Sequence, residues 1–328
     1  MKGIQVDVAV IGAGTAGLAA CRAAKAAGAS AVIIEDGEYG TTCARVGCMP
    51  SKLLIAAAEA AHAVGQAAQF GIHVNEEFLL EPDAHIADMQ LHGNRVAIRR
   101  TGPDGNQTIE YFDYVLAVTG RTPNVTGIGL DNTTLTLDAK GVPASDPATT
   151  RTISTNGASP IFIAGDASNF IPLLHEAADE GRIAGENAAR LALGMPVLPG
   201  LRRAPISIVF TDPQIAIVGG GFHSLKPDTF EIGQASFEDQ GRARVLLKNK
   251  GLLNVYGEIA TGRFLGAEML APAAEHLAHL TAWALQGRMT VEQMLEMPFY
   301  HPVIEEGLRT ALRDLDGKLR SAQASKTG

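Results

Sequence analysis

The strongest constraint on the fold lies in the first 35 residues, where Val6-Asp7-Val8-Ala9-Val10-Ile11 runs directly into Gly12-Ala13-Gly14-Thr15-Ala16-Gly17. Residues 6–11 read as a buried strand, since they are mostly β-branched or small and end at a glycine turn. The Ala-rich stretch 16–27, closed by Gly28, reads as a helix, and Val32-Ile33-Ile34 as the next strand. In that βαβ order the three glycines have separate tasks: a tight turn, close approach of a pyrophosphate, and close helix–strand packing. The amides opening the helix suit a phosphate, and Glu35, ending the second strand, is placed to accept a ribose hydroxyl. A glycine turn followed by a surface glutamate is the plainer alternative. The strand, turn, helix and acid in sequence favour dinucleotide binding, although this motif does not separate FAD from NAD.

Farther along, residues 51–68 read as an Ala-rich helix, and residues 96–119 alternate like antiparallel strands around the turn Gly102-Pro103-Asp104-Gly105, ending in an apolar strand from Tyr114 to Val118. A loop region to about residue 160 precedes a short strand, Ile161-Phe162-Ile163-Ala164, and a helix near 173–193. Residues 196–205 read as a linker. Strands at 206–218, 243–248 and 252–260, then helices at 273–286, 290–297 and 303–314, give an α+β second domain, with Val218-Gly219-Gly220-Gly221-Phe222 as a loop. The expected boundaries are 1–74, 75–195, 203–320 and a tail at 321–328.

Of 328 residues, 46% are hydrophobic and 19% charged, enough to bury a substantial core, and the net charge of −8 supplies no positive field for nucleic acid or anionic lipid. No apolar stretch is long enough to span a bilayer, and no secretory leader precedes the first strand, so a cytoplasmic location is expected. The three cysteines all lie before residue 49, which excludes a disulfide-stapled scaffold and a four-cysteine zinc site, and no metal is expected. Cys21 falls within the first helix and reads as core. Cys43 and Cys48 stand in Gly40-Thr41-Thr42-Cys43-Ala44-Arg45-Val46-Gly47-Cys48-Met49-Pro50-Ser51-Lys52. Positions i and i+5 of a regular helix diverge, so a bridge needs a distorted turn, which Gly47 permits. Such a bridge would be strained, and positive charge from Lys52 or a helix N-terminus would favour a reactive thiolate. Two buried structural cysteines remain the alternative. Near the other end, Pro302 fits the first position of a final helix capped by His301, with Glu306 in its first turns. A carboxylate beside an imidazole makes an acid–base pair; the plainer alternative is that Glu305 and Glu306 only complement the helix dipole.

Taken together, the glycine fingerprint, the Gly40 to Lys52 segment, Thr119-Gly120-Arg121-Thr122-Pro123-Asn124, Ile163-Ala164-Gly165-Asp166 and His301-Pro302-Val303-Ile304-Glu305-Glu306 resemble the FAD-dependent pyridine nucleotide-disulfide oxidoreductases, and among them the dihydrolipoamide dehydrogenases. The resemblance implies an α/β fold: a Rossmann-like FAD-binding domain with a parallel sheet and an antiparallel strand excursion, plus a C-terminal α+β dimerisation domain. It implies FAD with Gly12, Gly14, Gly17 and Glu35 around the adenosine half, Thr41 and Thr42 near the phosphates, Lys52 near the flavin, and Gly165-Asp166 at the ribityl chain. Cys43 would attack the substrate disulfide and Cys48 would face the flavin. His301, oriented by Glu306, would serve as acid–base catalyst toward the thiols of the other subunit of a homodimer.

One departure matters. Relatives carry a second nucleotide-binding βαβ unit, whereas this sequence has no second G-x-G-x-x-G opening a helix; from about Val74 it passes into what resembles the tail of the NAD domain. Three functions follow: an NAD-linked dithiol oxidase acting on dihydrolipoamide, a flavin–dithiol protein that has lost the nicotinamide half-reaction, and a noncatalytic dimerising remnant.

Overall fold

The computed structural model describes residues 5–70, 85–101, 105–114 and 122–327. The chain divides into two compact units, one of residues 1–41 with 125–328 and the other of residues 42–124. The larger unit opens with β1 (Val8–Ile11), α1 (Thr15–Ala26) and β2 (Ala31–Ile34), and the two strands pair in parallel from Val8 opposite Ala31 to Ile11 opposite Ile34. That is the expected βαβ unit. Cys21 is buried on α1, as expected.

In the smaller unit, α2 (Thr42–Val46) and α3 (Cys48–Gln66) are separated by Gly47. A three-stranded antiparallel sheet follows, with β3 (His85–His92), β4 (Arg95–Thr101) and β5 (Gln107–Phe112) in that order. The expected strand at 114–118, the turn at 102–105 and the junction near Val74 lie wholly or mostly outside the described residues.

From Val125 the chain rejoins the larger unit. β6 (Arg151–Ser154) and β7 (Gly157–Phe162) form an antiparallel hairpin, so the apolar strand expected from Ile161 starts earlier and has a partner. α4 (Leu174–Ala192) then lies close against α1: a Cβ on Gly181 or Gly185 would overlap the backbone of Ala16 or Ala20. Only glycine lets two helix backbones approach so far. The linker at 196–205 is docked rather than loose, because Asn187 bonds the Leu198 backbone in both directions at 2.9 Å and the Thr149 carbonyl at 3.2 Å.

Beyond the linker, β8 (Ile206–Val209), β9 (Gln214–Val218), β10 (Phe230–Ser236), α5 (Gly241–Val245), β11 (Leu252–Glu258) and β12 (Phe264–Ala271) lead into α6 (Ala274–Gln286), α7 (Val291–Leu295) and α8 (Glu306–Thr327). The five strands form one antiparallel sheet in the order β10-β11-β12-β9-β8. Leu253, Val255, Phe264 and Met269 from the sheet pack with Leu277 of α6 and Leu312 and Leu315 of α8 into the main hydrophobic core. The expectation of a strand at 243–248 is corrected: this stretch begins as α5, because the Gln240 side chain accepts the Ala243 N–H at 2.6 Å and caps a helical turn. The final helix also starts later than expected, at Glu306, so Pro302 is not its first residue. Among the described residues no helix is long and apolar enough to cross a membrane.

The glycine contact makes a direct prediction. Gly185→Val should push α1 from α4 and lower the unfolding free energy by about 3 kcal/mol, whereas Gly65→Ala, whose new methyl meets open space on α3, should raise it by up to about 1 kcal/mol. Denaturant unfolding of both variants checks the contrast.

Candidate active site

The fingerprint is built by backbone alone. Gly12 leaves β1 at φ +97°, a conformation that favours glycine, and its N–H donates to the Ile34 carbonyl at 2.8 Å. A Cβ on Gly17 would overlap the Gly12 carbonyl oxygen, so α1 can begin tight against the strand. By contrast, Cβ positions on Gly12 and Gly14 face open space, as a cradle approached by a ligand requires. Glu35 closes the turn: its carboxylate accepts the Ala13 N–H at 2.7 Å and the Gly37 N–H at 3.1 Å. Thr15 donates to Thr41 at 2.8 Å, tying the loop after β2 to the first turn of α1. Glycines without side chains, the N-terminal amides of a 12-residue helix and a fixed carboxylate fit the adenosine and pyrophosphate half of a dinucleotide.

Gly165 and Asp166 sit beside that cradle. The short 3-10 turn Gly165–Ser168 starts at φ +74°, and a Cβ on Gly165 would lie 2.9 Å from the Ala16 methyl. Glu180 of α4, 2% exposed, holds the turn from beneath by accepting the Gly165 N–H at 2.7 Å and the Ser168 hydroxyl at 3.0 Å. Its other oxygen pairs with Arg202, whose guanidinium stacks 4.6 Å from the centre of the Phe170 ring. Asp166 is thereby presented at the surface of a braced turn.

Cys43 and Cys48 are joined as a disulfide with their Cα atoms 4.6 Å apart. The bridge forms where the helix is broken: Gly47, at φ −121° and ψ −100°, ends α2 and turns the chain so that Cys48 opens α3. A regular helix would have separated the two residues. Lys52 follows one turn into α3.

His301 and Glu306 also meet. Nδ1 of the imidazole lies 2.9 Å from Oε2 and 3.1 Å from Oε1 of Glu306. A carboxylate only accepts, so Nδ1 carries the proton and Nε2 is left to exchange one. The hydrogen bond from His301 holds the Glu306 carboxyl below its ordinary range; burial opposes this, and the Val303 N–H with the charges of His301 and Arg309 reinforces it.

Residues 206–312 match the dimerisation domain of the pyridine nucleotide-disulphide oxidoreductases, and residues 6–97 match the pyridine nucleotide-disulphide oxidoreductase domain itself. The chain belongs to that family. A mercuric reductase from Acidithiobacillus ferrooxidans is 30% identical over 203 residues, covering 61% of this chain and 35% of the relative. The mitochondrial dihydrolipoyl dehydrogenase of Caenorhabditis elegans is 28% identical over 239 residues, covering 72% and 46%. These matches span about a third to a half of the relatives' length. Among solved structures, the Cu(II) complex of the HOCl-induced flavoprotein disulfide reductase RclA from Escherichia coli superposes with a TM-score of 0.67 at 16% identity, covering 95% of this chain and 99% of that one. The shared fold is that of the flavoprotein disulfide reductases.

For a pyridine nucleotide-disulphide oxidoreductase, Glu180, Arg202 and Arg309 are additions that sequence reading missed. Glu180 and Arg202 gave no local signal, since their partners lie 15 and 22 residues away. Arg309, three residues after Glu306, could have been found from helical spacing.

Two further acids on α4 behave oppositely. Burial raises the Glu176 carboxyl, with Arg202 offsetting only part of it. Asp179 is also opposed by burial, but hydrogen bonds from Arg203 Nη2 to Oδ1 at 2.5 Å and from Nε to Oδ2 at 2.9 Å prevail and lower it. A raised carboxyl contributes stability below its unfolded range that is lost as pH rises through the folded value; a lowered one contributes above that range and is lost on acidification. Glu176→Gln should therefore stabilise the fold near neutral pH and Asp179→Asn destabilise it, each effect fading in acid. Urea unfolding at neutral and acidic pH reads both signs.

Proposed function

We propose that this chain oxidises a small dithiol of the dihydrolipoamide class, taking the electron pair first into the Cys43–Cys48 disulfide and then into FAD. The observation that carries the reading is the bridged cysteine pair, placed at a helix break and opening a helix. Family membership supplies the flavin chemistry.

A substrate thiolate attacks Cys43 Sγ, the enzyme S–S bond breaks, and Cys48 leaves as a thiolate. The second substrate thiol gives its proton to His301 Nε2 and displaces Cys43, so the substrate leaves as a disulfide and the chain holds two reduced cysteines. Bound FAD supplies a two-electron acceptor for that dithiol. Gly12, Gly14, Gly17 and Glu35 would hold its adenosine half, Thr41 and Thr42 its phosphates, Gly165 and Asp166 its ribityl chain, with Lys52 near the ring.

NAD is the expected final acceptor within the family. A second reading, in which electrons leave to another acceptor, is favoured by the single G-x-G-x-x-G in the sequence. The dimerisation domain, with Leu280 and Trp283 exposed on α6 beside buried Leu277 and Ala284, supports a homodimer in which His301 serves the thiols of the other subunit.

The test is spectral. Anaerobic addition of dihydrolipoamide to the flavin-loaded protein should produce a long-wavelength thiolate–flavin band that Cys48→Ser abolishes. Cys43→Ser should keep a thiolate beside the flavin yet block interchange with substrate. Identical spectra from the two variants would contradict the assignment, and reduction by NADH at a rate matching the dithiol would set aside the second reading.

A further inference from the structure

Arg202 stands on the linker between two fixed points. Leu198 exchanges hydrogen bonds with Asn187 of α4, and the Ala204 N–H donates to Gln286 Oε1 of α6 at 2.6 Å. From there the Arg202 guanidinium reaches the loop of Gly165 and Asp166 by two routes. One runs through the buried Glu180 carboxylate, whose Oε2 accepts the Gly165 N–H at 2.7 Å and the Ser168 hydroxyl at 3.0 Å while Oε1 accepts from Arg202 Nη2. The other is direct, over the Phe170 ring at 4.6 Å. Nη1 lies 4.0 Å from Glu176 Oε2, and Nε is buried with no hydrogen-bond partner among the described residues. A buried donor left unsatisfied is unfavourable, so this placement is not one that stability alone would select. The neighbouring Arg203 differs: its Nε and Nη2 both donate to Asp179, which attaches the linker to α4.

We infer that Arg202 is a positioning residue for the flavin: from the linker it holds the 165–170 loop, through Glu180 and Phe170, in the form that receives the ribityl chain. The inference rests on the FAD reading. A buried carboxylate is strongly unfavourable without a cation beside it, and the adjacent Arg203 is engaged by Asp179, so the task falls to Arg202. Glu180 in turn holds the loop by charge-assisted hydrogen bonds, roughly twice as strong as neutral ones. The loop needs that hold. Gly165 at φ +74° and Asn169 at φ +55° reverse the chain, and a cavity of about 210 Å³ lies beside it, lined by Ser168, Asn169 and Phe170 of the loop, by Glu180 and Arg202, and by the 142–145 segment. A loop with open space beside it is not fixed by close packing. Its position is set by the Glu180 hydrogen bonds and by the guanidinium over Phe170.

FAD and ADP together separate a local effect from a general one. ADP has the adenosine and pyrophosphate that suit the fingerprint and Glu35, and lacks the ribityl chain and flavin ring. On flavin-free protein, fluorescence titration with FAD and calorimetric titration with ADP should show that Arg202→Gln weakens FAD about tenfold, the loss of one charge-assisted hold, and leaves ADP within about twofold. Arg202→Lys keeps a cation beside Glu180 but not the flat contact with Phe170, and should recover part of the loss. Glu180→Gln/Arg202→Gln leaves no unpaired carboxylate and should show the same selective loss, so it decides the matter where Arg202→Gln alone fails to fold. Arg203→Gln should lower stability without changing the ratio of FAD to ADP affinity. Equal loss of both ligands in the Arg202 variants would make Arg202 a structural residue and overturn the inference. Unchanged FAD affinity in the double variant would overturn it too, as would a change of ratio in Arg203→Gln as large as in Arg202→Gln. Wild-type protein that binds FAD no more tightly than ADP would contradict the flavin reading itself, and the inference with it, before any variant is measured.

Discussion

The contact between α1 and α4 is the constraint on which the nucleotide half of this molecule depends. It joins residues 15–26 to residues 174–192, and so brings the fingerprint and the Gly165-Asp166 turn to one place. The apolar cluster beside it is slight: Val8, Ala24, Ala29 and Ala189. At about 0.8 kcal/mol for each methyl-sized group removed from water, such a cluster contributes only a few kcal/mol. What fixes the geometry is backbone proximity at Gly181 and Gly185 and the buried hydrogen bonds of Glu180 and Asn187. The sheet domain is held differently, by a continuous apolar core drawn from five strands and four helices.

That difference explains what the sequence made legible. β1, α1 and β2 were readable because their glycine spacing has a mechanical meaning, and α4 and α6 because their lengths and small-residue content suit helices. β10 and β12 were not anticipated. Phe230–Ser236 contains Gly233, which reads as a strand breaker until α8 is seen to pass so close that a Cβ there would overlap Ala311. Phe264–Ala271 is rich in Leu, Ala, Glu and Met, which favour helix in isolation; pairing with both β11 and β9 overrides that preference. The stretch 243–248 misled in the opposite sense, because a single glutamine cap decides its first turn.

The candidate site divides along the same line. Residues marked by short motifs, namely the fingerprint glycines, Glu35, the cysteine pair and the His301–Glu306 pair, each take up a local geometry suited to their chemistry. Residues that brace them from afar, Glu180 and Arg202 above all, became visible only in three dimensions. A cysteine spacing that no regular helix can bridge was the most informative local clue, since it demanded the break that Gly47 provides.

The central claim is that the cradle formed by Gly12, Gly14, Glu35 and the braced Gly165-Asp166 turn binds FAD even though the sequence has a single nucleotide fingerprint. Titration of flavin-free protein with FAD, followed by the quenching of flavin fluorescence, tests this most directly. Saturation at one FAD per chain, weakened by Gly14→Val, is the predicted result. A folded protein that leaves FAD fluorescence unchanged at all concentrations would contradict it.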